Sequence, residues 1–289
     1  MALSITTNVA SLNAQRNLGK ATSALGTTFE RLSSGLRINS AKDDAAGLSI
    51  STRMTAQIRG TNQAVRNAND AISLMQVAEG ALEETESALQ RIRELAVQSA
   101  NDTYTDEDRM DMQAEMDQLL AEIDRISSDT QFNDTGLLSG GFSAGKTFHV
   151  GADADQTIIV SIALVDTDNL GALSTNGNII GGGSLTNHVG TGISTQTQAN
   201  SMITIVDGAI DQISDIRSEL GALQNRFAST VNNLTNVSEN TSAARSQIMD
   251  ADIASETAAL TRNSILQQAG TAILAQANQQ PQLALQLLG

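Results

Sequence analysis

Cysteine and tryptophan are absent from this 289-residue chain, tyrosine and proline occur once each, and there are only five phenylalanines. Without cysteine there is no disulfide framework, thiol nucleophile or cysteine-bound metal. So few large rings argue against the anchored pocket of a conventional enzyme and against a base-stacking platform. Basic residues are scarce as well, 17 against 32 acidic, and the formal charge of −15 would repel a phosphate backbone, which excludes a purely electrostatic nucleic-acid binder. No apolar run of about 18 residues occurs, and no basic segment followed by an apolar one opens the chain, so neither a membrane span nor a cleaved secretory leader is expected.

What remains is a composition suited to long helices, because the single proline, Pro281, leaves the backbone ladder almost uninterrupted. From Met202 to Ile248 the sequence alternates four- and three-residue steps through Met202, Val206, Ala209, Ile213, Ile216, Leu220, Leu223, Phe227, Thr230, Leu234, Val237, Thr241, Ala244 and Ile248. That period is a coiled-coil seam. A helix of this length extends about 70 Å, against roughly 50 Å across a compact sphere of the same chain, which predicts an elongated molecule.

Residues 45–100 carry two stripes, Leu74, Ala78, Ala81, Thr85, Ala88, Ile92 and Leu95 on one side and Val65, Ala68, Ile72, Met75, Leu82 and Leu89 on the other. Such a helix contacts neighbours on two faces. A shorter helix starts at the capping-box sequence Thr105-Asp106-Glu107-Asp108, with Met112, Met116, Leu119, Ile123 and Ile126 as its seam. The helical period then fades between Gln131 and about Gln198. Phe148 with Val150, and Ile158 to Leu164, read as short strands around the turn Gly151–Asp155, while residues 171–192 hold seven glycines among polar residues and read as a surface insertion.

The two ends differ from the middle. Residues 1–40 hold five charged side chains and residues 257–289 only Arg262, yet apolar residues recur at helical spacing in Leu18, Ala21, Leu25 and Leu32 and again in Leu266, Ala269, Ile273 and Ala277. Ordering a backbone costs about 1–2 kcal/mol per residue, and alanine-rich seams bury little to offset it. The ends are therefore expected to be unstructured in the isolated monomer and to order among neighbours. The fold class expected is mainly α: an elongated antiparallel helical coiled-coil bundle with a small β-hairpin region, and with the N- and C-terminal helices paired.

Several apparent chemical motifs fail on context. Gly140 to Thr147 fits a P-loop literally, but Phe148-His149-Val150 reads as a strand where the phosphate-binding helix belongs. Asp166-Thr167-Asp168 lacks the later calcium ligands, with Leu170 and Gly177 where oxygen donors are needed. His149 and His188 have no third ligand. Residues 102–134 carry eleven acidic and two basic side chains, read as a solvated helix face. No catalytic, cofactor-binding or metal site is expected.

The segment Arg31-Leu32-Ser33-Ser34-Gly35-Leu36-Arg37-Ile38-Asn39-Ser40-Ala41-Lys42-Asp43-Asp44-Ala45-Ala46-Gly47 resembles bacterial flagellin. So do the opening Ser4-Ile5-Thr6-Thr7-Asn8, the stretch Thr130-Gln131-Phe132-Asn133, and the ending from Leu266 to Asn278. The resemblance implies an extracellular filament subunit, exported unfolded through the flagellar channel, that polymerises with itself for motility and meets an export chaperone and the hook-associated and cap proteins. It implies an inner-tube domain from residues 1–42 and 251–289, a rod domain from 43–165 and 199–250, and a residual insertion at 166–198. Leu18, Leu25, Leu32, Leu266 and Ile273 would serve self-assembly, and Ile265, Leu266, Ile273 and Leu274 the chaperone. By the same resemblance Gln90, Arg91, Leu95, Gln98 and Glu115 would be read by the innate immune flagellin receptor. An alternative within the superfamily is the adaptor that joins hook and filament.

Overall fold

The computed structural model describes residues 8–171, 174–175, 178–179, 185 and 192–288, with 174–175, 178–179 and 280–288 described by backbone alone. Met1 to Thr7, His188 and most of the glycine-rich stretch lie outside the described residues. In chain order the elements are α1 (Val9–Ser34), α2 (Ala45–Ser99), α3 (Asp106–Asp129), β1 (Gln131–Phe132), β2 (Thr135–Gly136), β3 (Lys146–His149), β4 (Thr157–Val160), β5 (Ser174–Thr175), β6 (Asn178–Ile179), α4 (Gln196–Met249) and α5 (Ile253–Leu288). The mainly α expectation holds, and each described sheet is a two-stranded antiparallel hairpin.

The chain divides into two compact units, Arg59–Val237 and a terminal unit made of Met1–Ile58 with Ser238–Gly289. Charge divides with them. The terminal unit holds eight basic and seven acidic residues, the central unit nine and 25, so the whole negative excess belongs to the central unit.

The central unit contains the main apolar core. On α4, Met202, Val206, Ala209, Ile213, Leu220 and Phe227 are buried, while the predicted seam continues half-buried through Ile216, Leu223, Thr230, Leu234 and Val237. Both predicted α2 stripes enter that core: Leu74, Ala78, Ile92 and Leu95 of one, and Ala68, Met75, Leu82 and Leu89 of the other. The capping box forms as expected, Thr105 accepting from the Asp108 N–H and Asp108 from the Thr105 N–H. The α3 seam is wider than its sequence spacing, because Leu120 is buried where Leu119 is only half-buried, and Ser127 joins it.

Two local structures differ from the expectation. The strand expected to reach Leu164 ends at Val160, since its partner β3 runs out at Lys146. Beyond it the backbone bonds the preceding loop, Ile162 N–H donating to the Phe142 carbonyl and Val165 N–H to that of Leu138. Val150 lies outside β3, where its N–H closes the turn on the Gln156 carbonyl. The β1–β2 hairpin has no counterpart in the apolar pattern. It turns on Asn133 and Asp134, at φ 49° and 59°, the left-handed pair that matches strand twist in a two-residue hairpin loop.

Candidate assembly and recognition surfaces

The flagellin-like segment from Arg31 to Gly47 is a folded corner. Gly35, at φ 70°, ends α1 with its N–H on the Arg31 carbonyl, a left-handed cap that costs glycine nothing. The next residues pair with the α4–α5 connection: Arg37 N–H donates to the Met249 carbonyl at 2.6 Å and Ala251 N–H to the Gly35 carbonyl at 2.9 Å, with Leu36 opposite Asp250. The Arg37 side chain adds a bond to the Ile248 carbonyl. Ile38 is buried, and a side chain at Gly47 would collide with it and with Asp44. The Asp43 carboxylate accepts from both the N–H and the hydroxyl of Ser40 and from the Asn39 N–H.

Those bonds, the Ser40 N–H first, hold the Asp43 carboxyl below the usual aspartate range, and the Thr105 hydroxyl and N–H do the same for Asp108. Because each is lowered in the folded state, its contribution is present above the ordinary aspartate pKa and disappears as pH falls through the lowered value. Amide protection factors for Asn39, Ser40 and the first turn of α3 are expected to fall as pH drops through and below the ordinary aspartate range; protection unchanged by acid would contradict the assignment.

The terminal helices α1 and α5 pack on each other, but what they bury is small. On α1 the buried residues are Ser11, Ala14, Ala21 and Thr28. Leu18, Leu25 and Leu32 are half-buried, as is Leu274 on α5. The larger apolar groups face outward: Val9, Leu12, Phe29, Ile253, Ile265, Leu266 and Ile273 are between 47% and 60% exposed. Ala258, Thr261, Arg262, Ile265 and Leu266 line one depression on α5. A helix pair that hides alanine and displays isoleucine has an unfinished core.

On the central unit, four of the five residues expected at a receptor surface are exposed: Gln90, Arg91, Gln98 and Glu115. Arg91 links α2 to α3 through Glu115 at 2.7 Å and reaches Glu94 at 3.0 Å. Glu115 first, then Glu94, stabilise its charged form further. Gln90 donates to Glu86 at 3.2 Å. Leu95 departs from its expected role as an apolar contact beside Arg91. It is 1% exposed, because the position falls on the α2 core stripe, and it supports the surface from beneath.

Arg109 has a structural role that sequence spacing did not signal. Nearly buried in the first turn of α3, it donates to the carbonyls of Ser99 and Asn101 at 3.0 and 3.1 Å, satisfying the end of α2 and complementing its dipole. Thr167 likewise ties its loop to α3, its N–H and hydroxyl both on Asp124, which gives the Asp166–Asp168 stretch a packing role.

The P-loop match is a turn followed by a strand. Gly140 and Gly145 have φ of 95° and 80°, and Lys146 opens β3 with its ammonium 5.9 Å from the Phe142 ring centroid. No helix N-terminus follows to receive phosphate. Among the described residues no group of three or more His, Asp or Glu is placed to hold a metal ion, and no helix is long and apolar enough to cross a membrane.

Comparison with known proteins accounts for this arrangement. The pattern described as bacterial flagellin N-terminal helical region matches residues 5–143, and that described as bacterial flagellin C-terminal helical region matches residues 203–288. The chain is 47% identical over 281 residues to a flagellin of Halalkalibacterium halodurans, covering 97% of this chain and 98% of the relative. It is 46% identical over 290 residues to the flagellar filament 33 kDa core protein of Treponema phagedenis, again covering 97% and 98%. A solved structure described as a flagellar hook-associated protein of Vibrio parahaemolyticus shares the fold, with a TM-score of 0.62 at 15% identity over 72% of this chain and 100% of that one. Helical, and matching both the N-terminal and the C-terminal helical regions of the family, the chain belongs to the bacterial flagellins.

Proposed function

We propose that this chain is a structural subunit that polymerises through its terminal helices into the flagellar filament outside the cell. The observation that carries the proposal is the α1–α5 pair, which buries Ser11, Ala14, Ala21 and Thr28 and leaves Leu266 and Ile273 in solvent. Neighbouring copies complete that core, and the ends order as they do so. A head-to-tail contact of this kind does not close on itself and extends into a helical polymer. Residues 1–42 and 251–289 form the inner tube, 43–165 and 199–250 the rod, and 166–198 stand where larger relatives carry outer domains. Relatives with 43–47% identity over nearly the whole chain, whose names place them among flagellins and filament core proteins, favour this role over the hook–filament adaptor. Seeded, purified chain examined by negative-stain microscopy is expected to form long filaments; short capped assemblies would return the choice to the adaptor.

Export in an unfolded state through a narrow channel suits a chain with no disulfide to form and one proline to isomerise. Before assembly the exposed Ile265, Leu266 and Ile273, with Leu274, offer an apolar stripe for an export chaperone, and the finished polymer meets the hook-associated and cap proteins at its ends. Arg91, with Gln90, Gln98 and Glu115, forms the surface for the innate immune flagellin receptor. An arginine fork already oriented by Glu115 pays little ordering entropy on binding. Arg91→Ala is expected to lower receptor signalling at least about tenfold, as for an interface anchor, with unchanged filament formation; undiminished signalling would remove the site.

A further inference from the structure

We infer that the register of α1 against α5 is set by polar clamps at the two ends of the pair, a device that rests on the filament reading above and gives its assembly surface a defined geometry. Between the clamps little distinguishes one alignment from another. The buried α1 residues are Ser11, Ala14, Ala21 and Thr28, and Leu18 lies over Gly270, where even an added Cβ would come no closer than 3.4 Å. Small side chains at near-heptad spacing present a smooth face, and a smooth face can slip by a turn at little cost. Polar residues within an apolar seam are the usual means of choosing one register.

At the linker end Arg31 Nη1 donates to Glu256 Oε1 at 3.0 Å, the two side chains being 31% and 15% exposed. Arg31 Nε is buried without a hydrogen-bond partner, so the guanidinium has already lost part of its hydration and depends on Glu256. Immediately beyond lies the backbone rung between Leu36 and Asp250. At the far end Asn8 Nδ2 donates to the Ala277 carbonyl and Ser11 Oγ to Asn278 Oδ1, both at 2.7 Å. One antiparallel alignment satisfies all of these contacts. Slipping α5 by a turn in one direction sets Arg31 against Leu260. The opposite slip brings it to Asp252, a shorter carboxylate just outside α5, so that slip keeps a counter-charge and is opposed instead by the lost Asn8 and Ser11 contacts. A partly desolvated charge that loses its partner is costly, so the Arg31–Glu256 pair penalises the slip to Leu260 and the far clamp penalises both, while the apolar face adds little beyond the seating of Leu18 over Gly270.

The absence of cysteine makes the alignment directly readable. In the full chain, after seeding, Leu18→Cys with Gly270→Cys reports the native register, and Leu18→Cys with Leu274→Cys reports the one-turn slip that sets Arg31 against Leu260. Intramolecular disulfides are scored by mass. The native pair is expected to oxidise about tenfold faster than the slipped pair, the discrimination of a single well-placed ion pair. Adding Arg31→Ala and Glu256→Ala should shrink that preference severalfold, the far clamp and the backbone rung remaining, and Arg31→Glu with Glu256→Arg should restore it. A preference undiminished by the alanine pair, or one that the exchanged pair fails to restore, overturns the clamp. Filament formation by the parent chain is scored separately by microscopy, so a chain that cross-links in register yet never polymerises would sink the filament reading and leave the clamp standing.

Discussion

Leu266→Asp combined with Ile273→Asp is expected to abolish filament growth while leaving the helical content of the chain unchanged. Both side chains are more than half exposed in the single chain, so aspartate there costs the monomer little beyond helix propensity. In a polymer that buries them the balance reverses, because each carboxylate must be desolvated, with a cation in reach of position 266 alone. Arg262 is the nearest basic residue in sequence, and it lines the depression that holds Leu266. A penalty of even about 3 kcal/mol per subunit raises the concentration needed for growth more than about a hundredfold. Sedimentation of seeded protein measures it, with circular dichroism as the control for folding. Normal filaments from the double variant would show that this face of α5 is not the assembly surface.

Phe227→Ala is expected to be the most destabilising single change in the central unit. Phe227 is fully buried at the point where the α4 seam meets the hairpin, and its ring stands edge-on to Phe148 at 6.2 Å and 90°. Truncating a buried phenylalanine costs about 3–5 kcal/mol, a large part of the roughly 5–15 kcal/mol that holds a typical domain together. A fall of roughly 10 °C in the melting midpoint follows for a unit of this size. The exposed neighbour Ser229→Ala provides the comparison and should shift it by less than about 2 °C. Equal midpoints would mean that the hairpin is not anchored through this ring.

The helices were legible because their periodicity is sustained. Fourteen positions from Met202 to Ile248 hold one stripe, and none of them is exposed in the structure. The capping box at Thr105 was equally readable, since its two bonds are local. Leu95 carried two readings: resemblance set it on the receptor surface, while its place on the α2 stripe, visible in the spacing, set it in the core, where it lies. What local pattern could not show was a contact made only by the fold. Arg109 looked like one charge in an acidic helix start, and only the fold brings the end of α2 to its guanidinium. The short hairpin at Asn133-Asp134 escaped because it depends on backbone handedness and not on alternation of apolar residues. The P-loop match failed for a reason already visible in Phe148-His149-Val150, which prefer a strand where the phosphate site needs a helix.

Confining the negative excess to Arg59–Val237 also has a colloidal consequence. A polymer joined through its near-neutral ends gains its negative charge from the central unit of every added subunit, so its charge per length stays constant however long it grows. Two such fibres approaching side by side repel over about 8 Å at physiological ionic strength. That stand-off keeps them dispersed as separate threads, and concentrated salt or multivalent cations are the conditions that would gather them into bundles.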